Sequence, residues 1–137
     1  MRDRSTKVRL FIKEPLSINS HITLSSDQAK YLFKVMRLNV GQVITVFDGS
    51  TGEYEGKILK KFIASGKLLV ERKNKEVVRP SDLWLIFSPL RKNRTEWIIE
   101  KATEFGVKKI IPVITERTIG TGVRMNRLKL IMIEALE

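Results

Sequence analysis

The chain of 137 residues has no cysteine, a single histidine and only four prolines. Without cysteine there can be no disulfide, thiolate zinc site, iron–sulfur cluster or cysteine nucleophile. One histidine, His21, is too few for a multi-histidine metal site and argues against a Ser-His-Asp triad, so no metal is expected. His21 itself reads as a structural residue at the start of a strand. No apolar run approaches the ~18 residues that span a bilayer. The charged start, Met1-Arg2-Asp3-Arg4, has no apolar segment behind it, so neither signal peptide nor membrane partner is expected and the cytoplasm is the default. Negative charge is also scarce, with 15 acidic against 26 basic side chains and a formal net charge of +11.

What is present is a folding composition, 42% hydrophobic and 30% charged. The positive excess fits either a polyanionic partner, nucleic acid ahead of a membrane surface, or a solvated basic surface. Residues 1–80 hold 16 basic against 8 acidic side chains and residues 81–137 hold 10 against 7, so the first half is the stronger electrostatic footprint.

That first half reads as short strands separated by turns: Val8–Ile12, His21–Leu24, Gln42–Phe47, Tyr54–Phe62 and Lys67–Val70, with Asp48-Gly49 and Gly66 as turn signals. Ser25 followed by Gln28 is a capping-box pattern. Behind it Ala29, Leu32, Phe33 and Met36 predict one apolar helix stripe, leaving Lys30, Lys34 and Arg37 off it. Several short strands with one small helix predict a compact β-barrel. Tyr31, Phe33, Trp84 and Trp97, set among apolar neighbours, read as core residues.

Val78–Asp82 is the predicted linker, because Pro80 restrains Arg79. Beyond it Leu83–Phe87 is an unbroken apolar run, expected of a parallel strand buried on both faces. A helix follows from about Arg94 to Phe105, with Asn93 as start signal, Gly106 as stop and Ile98, Ala102 and Phe105 as its stripe. Lys109–Ile114 is a second strand, drawn toward an edge by Pro112. A last helix begins near Arg124, with Met125, Leu128, Met132 and Ala135 inward. Gly120-Thr121-Gly122 is a loop, not a nucleotide fingerprint. The order β-α-β-α opens an α/β domain without completing it, so the chain is expected to be part of a larger or split protein, or one whose sheet a partner subunit completes.

Residues 88–107, SPLRKNRTEWIIEKATEFGV, resemble the central signature of the RsmE family, the small-subunit (16S) ribosomal RNA uridine-N(3) methyltransferases. Residues 21–54 are similar to that family's N-terminal segment, where a histidine precedes Val-Met-Arg-x₃-Gly-Gln and a Phe-Asp-Gly turn. IIPVITERT (110–118) and RLKLIMIEALE (127–137) resemble the next strand and helix. The resemblance implies a PUA-like RNA-binding β-barrel over residues 1–79 and, over residues 80–137, the first β-α-β-α part of a SPOUT knotted methyltransferase domain. It also implies S-adenosylmethionine as methyl donor, the small ribosomal subunit's RNA as partner, and a homodimer. The family's cofactor segments, Gly-Pro-Glu-Gly-Gly and Leu-Gly-x-Arg-Ile-Leu-Arg, match nothing in the 137 residues, so no cofactor-binding residue is assigned. Where the signature usually reads Lys-Gly-Asp-Arg, this chain has Arg91-Lys92-Asn93-Arg94, which keeps the positive charge and loses the glycine and the acid.

Arg91, Lys92 and Arg94 are candidate phosphate contacts at a helix start, where backbone N–H groups also attract anions; a solvated loop is the alternative. Glu96, Glu100 and Glu104 share one helix side, a polar face more readily than a catalytic one, and Lys101 can pair with Glu104. Glu96 and Arg117 are the candidate catalytic residues, Glu96 as a carboxylate able to accept a proton and Arg117 because it follows a strand's C-terminal end. Arg9, Arg37, Lys101 and Arg117 complete the RNA-binding candidates. A different class of protein, a non-catalytic RNA-binding module that kept the barrel and lost the catalytic half, is the alternative reading.

Overall fold

The computed structural model describes residues 5–77, 82–118 and 124–137, without the side chains of Ser5 and Thr6. Most of the expected 78–82 linker and the Gly120–Gly122 loop lie outside the described residues. The chain divides into two compact units, Met1–Val78 and Arg79–Glu137.

In the first unit, β-branched and aromatic residues alternate with polar ones and build five strands: β1 (Ser5–Phe11), β2 (His21–Thr23), β3 (Val43–Phe47), β4 (Glu53–Lys61) and β5 (Gly66–Lys75). They form one sheet of order β1-β3-β4-β5-β2, in which β1 and β3 run parallel and the other pairs antiparallel. Leu10, Ile44, Val46, Ile58, Leu68 and Val70 point inward from four strands into a single core, which Ile22 on β2 joins.

The predicted capping box is present. Ser25 Oγ accepts from the Gln28 N–H at 3.3 Å, and Gln28 Oε1 accepts from the Ser25 N–H at 2.9 Å. It opens α1 (Ser26–Lys30), which widens into a π turn over Tyr31–Val35. Gln28 Nε2 also donates to the Phe11 carbonyl, tying the helix to β1. Ala29, Leu32 and Phe33 are buried as expected, but Met36 is exposed. An i→i+5 turn winds fewer degrees per residue than an α turn, so Met36 rotates off the stripe and Leu38 takes the core position. Arg37 closes the turn in the left-handed region at φ 54°.

A buried carboxylate organises the loop after β3. Asp48, only 9% exposed, accepts from the N–H groups of Leu16, Ser50 and Thr51 and from Thr51 Oγ1. Tyr54 Oη in turn lies 3.1 Å from Thr51 Oγ1. Burial pushes the Asp48 carboxyl up, but the hydrogen bonds from the Thr51 hydroxyl and from the Thr51, Leu16 and Ser50 amides outweigh it and hold the group well below the usual carboxylate range.

The second unit has the expected β-α-β-α order: β6 (Trp84–Phe87), α2 (Lys92–Glu104), β7 (Lys109–Pro112) and α3 (Met125–Leu136). The strands are parallel, with Trp84 opposite Lys109 and Phe87 opposite Pro112. The unit differs from the sequence reading in burial. The Leu83–Phe87 run is not covered on both faces, for Trp84 is 50% and Ile86 60% exposed. Ile99, Leu128 and Ile131 pack with Phe87, Ile110 and Met132 into one small core, enough to cover one face of a two-stranded sheet. On the open face the Lys109 ammonium sits 4.8 Å above the Trp84 ring, whose Nε1 donates to Asp82.

Helix α2 starts two residues earlier than predicted and has no side-chain N-cap. Thr95 Oγ1 instead accepts from the Leu90 N–H and donates to the Leu90 carbonyl. Its buried stripe is Thr95, Ile99, Ala102 and Thr103, while Phe105, expected inside, is 83% exposed. Threonine can take such positions because its hydroxyl is satisfied within the helix, as Thr103 Oγ1 donates to the Ile99 carbonyl. Gly106, at φ 75°, ends the helix as predicted; the Val107 N–H reaches the Ala102 carbonyl and the Gly106 N–H that of Thr103. In α3, Leu128 is buried and Met132 packs against the same core as predicted, Ile131 joins them, and Met125 is exposed. Trp97 is exposed as well, and of the four aromatics read as core only Phe33 is fully buried; Tyr31 is partly buried against that core.

Candidate nucleic-acid interface

In the first unit the strands decide which cations remain available. Arg9, on β1, is held by Glu53 across the sheet at 2.7 Å and lies 4.9 Å over the Phe47 ring, so its charge is largely answered. Lys57 pairs with Glu71, Arg72 with Glu55 and Lys73 with Glu76. The hydrogen bond to Glu76 raises the Lys73 pKa. Arg37 is exposed and joins no ion pair among the described residues.

In the second unit the chain turns from β6 into α2 through Ser88–Arg91. Arg91 is the N-cap, and its carbonyl accepts from the N–H groups of Arg94 and Thr95 at 3.0 Å. Arg91, Lys92 and Arg94 are all exposed, the first turn carries no acidic residue, and none of the three joins an ion pair among the described residues. Three cations thus add to the positive end of a 13-residue helix. Arg117 lies exposed in the turn after β7. It and the Arg91–Arg94 group therefore follow the C-terminal ends of neighbouring parallel strands, where α/β folds gather their sites.

The remaining candidates are engaged elsewhere. Lys101 pairs with Glu104 at 3.1 Å, as its spacing predicts, and Glu96 accepts from Arg127 of α3 at 3.5 Å. The sequence reading passed over three hydroxyls at the same strand ends. Ser88 Oγ lies 2.7 Å from Thr118 Oγ1 and 3.5 Å from Thr115 Oγ1, and Thr118 Oγ1 accepts from the Thr115 N–H at 2.7 Å. They pin the turn carrying Arg117 to the segment leading into Arg91. The Thr115-x-x-Thr118 spacing was the available signal, but its partner lies 27 residues away or more.

Every buried polar side-chain atom among the described residues has a hydrogen-bond partner, so no orphaned group marks a cradle for a cofactor there. Nor is any described helix long and apolar enough to cross a membrane.

Comparisons with known proteins place this arrangement. The family described as RNA methyltransferase PUA domain matches residues 24–68, and the RNA methyltransferase domain matches residues 78–137. The chain is 33% identical over 132 residues to ribosomal RNA small subunit methyltransferase E of Rickettsia conorii, covering 94% of this chain and 53% of that protein. It is 28% identical over 131 residues to the protein of that name from Synechocystis, covering 43% of it. Among solved structures, the Neisseria gonorrhoeae methyltransferase E bound to S-adenosyl methionine superposes with a TM-score of 0.84 at 22% identity, over 96% of this chain and 56% of that one. A Legionella pneumophila protein in complex with the same cofactor gives 0.80 at 24% identity, over 95% and 57%. These likenesses establish a PUA-like unit followed by a methyltransferase-type α/β unit. The chain spans about half the length of the relatives it matches; its two units match the RNA methyltransferase PUA domain and RNA methyltransferase domain families, and across both it is similar to proteins named ribosomal RNA small subunit methyltransferase E.

Proposed function

We propose that the protein carrying this chain transfers a methyl group from S-adenosylmethionine to N(3) of a uridine in 16S ribosomal RNA, acting as a cytoplasmic homodimer. In this reading the first unit, residues 1–79, grips RNA and residues 80–137 supply the early part of the catalytic domain. The observation that carries the reading is the match to the Rickettsia relative, which runs through both units without a break in kind.

The chemistry assigns work to this chain's own residues. Uridine N(3) bears a weakly acidic proton, and negative charge grows on the base as that proton leaves. Arg91, Lys92, Arg94 and Arg117 sit at strand ends where they can hold phosphates and favour that charge. Glu96 is the candidate proton acceptor; it must leave Arg127 to serve, and a half-exposed contact of 3.5 Å is weak enough to permit it. The base must be unstacked before N(3) is accessible. No orphaned buried polar group among the described residues marks where the methyl donor would sit.

Two measurements test the reading. Small ribosomal subunits incubated with the protein and methyl-labelled S-adenosylmethionine should yield N(3)-methyluridine on nucleoside analysis; label confined to another base or another position would refute it. The 137 residues alone should bind RNA weakly and transfer no label, and transfer by this chain without added protein would overturn that second claim.

A further inference from the structure

The basic residues of the β4–β5 hairpin separate along its length. Toward the end holding Glu53 and Glu55, Arg72 pairs with Glu55 and Lys73 with Glu76, and Lys75 there joins no ion pair among the described residues. At the other end Lys60 stands directly across from Lys67, and Lys61 across from Gly66. Like charges opposed on neighbouring strands repel, yet no carboxylate comes within ion-pair distance of Lys60, Lys61 or Lys67 among the described residues. The turn beyond them is apolar and outward: Phe62 is half-exposed and Ile63 is 94% exposed.

The end of the helix meets this turn. Gly66 lies so close to Phe33 that an added Cβ would come within 2.8 Å of its ring. Lys61 Nζ stands 5.3 Å over the same ring and reaches the Leu38 carbonyl at 3.4 Å. Ser65 Oγ donates to the Leu24 carbonyl. The bond from Lys61 to the Leu38 carbonyl brings the backbone that follows Arg37 to this end of the hairpin. Arg37 is exposed and held at φ 54°, a backbone conformation that any residue with a side chain resists. A repelling lysine pair, a strained arginine and an exposed aromatic thus coincide at one place. Local rules are broken together where a ligand compensates.

We infer that this tip, formed by the β4–β5 turn and the end of the π turn, is a docking surface for single-stranded RNA. Arg37, Lys60 and Lys67 take phosphates and Phe62 offers a face on which a base stacks. The inference rests on the reading of the protein as an RNA methyltransferase, which favours RNA over an anionic membrane as the partner of a basic, apolar-tipped surface. Stacked bases on an exposed ring beside a line of cations is how single strands are held without sequence readout.

The test is fluorescence anisotropy of the full 137-residue chain with a labelled oligouridine, across a salt series. The double variant Lys60→Gln with Lys67→Gln should weaken binding about tenfold and lower the log–log salt slope by about 1.4, the contribution of two phosphates on a single strand. Phe62→Ala should weaken it about tenfold with the slope unchanged. The double variant Arg72→Gln with Lys73→Gln removes the same charge from paired cations and should change binding less than about twofold, since those cations are already answered. All these positions are on the surface, and melting curves confirm that each variant folds. The inference is overturned if the tip variants bind like the parent or if the paired-cation variant loses as much as the tip. It is also overturned if the chain ignores oligouridine but binds phosphatidylserine vesicles in a manner sensitive to Ile63→Ala. Tip-dependent RNA binding by a protein that methylates no ribosomal RNA would sink the proposed activity and leave the surface standing. Methylation with an indifferent tip would do the reverse.

Discussion

Replacing Asp48 by asparagine keeps the shape of a buried side chain while removing its charge and half of its acceptor capacity. Oδ1 accepts from the Ser50 and Thr51 amides at 2.9 and 2.8 Å, and Oδ2 from the Leu16 amide at 2.8 Å and the Thr51 hydroxyl. An NH₂ in the Oδ1 position would face the Ser50 and Thr51 amides, and one in the Oδ2 position the Leu16 amide and the Thr51 hydroxyl, of which only the hydroxyl can turn away. A lost hydrogen bond to a charged group costs about 1.5–3 kcal/mol, and a buried amide left unpaired costs a similar amount. A loss of about 3–4 kcal/mol follows, a large share of a small domain's stability. At about 4–8 °C per kcal/mol for a unit of this size, the midpoint should fall by roughly 15–25 °C. Near-UV circular dichroism can follow it, since Tyr31 and Tyr54 both lie in the first unit while Trp84 and Trp97 report on the second. The dependence on pH has a defined sign. The folded carboxyl titrates below its unfolded value of about 3.9, so its stabilisation is complete above that value and is lost as pH falls toward the folded one. Parent and variant should therefore converge between about pH 4 and the acid limit. A variant within about 1 kcal/mol of the parent at pH 7, or a gap that stays constant on acidification, would refute the role given to Asp48.

Gly66→Ala should cost about 2 kcal/mol in chemical denaturation, because the added methyl meets both Phe33 and the Lys60 carbonyl; an unchanged midpoint would mean that the helix end does not press on the hairpin. Arg37→Gly should raise stability by about 0.5–1 kcal/mol by relieving the left-handed backbone while weakening RNA binding, and a less stable variant would contradict the strain argument. Glu96→Gln should change stability by less than about 1 kcal/mol, its tie to Arg127 being partly exposed. If Glu96 accepts the uridine proton, the same change should slow methyl transfer by the protein carrying this chain about 100-fold, and an unchanged rate would remove Glu96 from the reaction.

Local features were legible in the sequence. The capping box at Ser25 and Gln28, the glycine stop at Gly106, the Lys101–Glu104 spacing and the parallel β-α-β-α order are each set by residues near one another in the chain. Burial was less legible, for stated reasons. The π turn displaced Met36, threonines rather than Ile98 and Phe105 took the inner stripe of α2, and the two-stranded sheet left Trp84 and Ile86 uncovered. The candidate site divides in the same way. That Arg91, Lys92 and Arg94 open a helix could be read from spacing alone. That Glu53 neutralises Arg9, that Arg127 holds Glu96, and that hydroxyls 27 or 30 residues apart fix the turn bearing Arg117 depends on pairings no local pattern encodes. The opposition of Lys60 to Lys67 and the Arg72–Glu55 pair are consequences of strand register.

The most direct test of the central claim is to map methylated uridines in the small-subunit RNA of cells with and without the gene for this protein. A methyl on N(3) blocks the pairing edge of uridine, so reverse transcriptase halts beside it. The account predicts one strong stop in 16S RNA that disappears when the gene is deleted and returns with the intact gene. Identical stop patterns in both strains would contradict it.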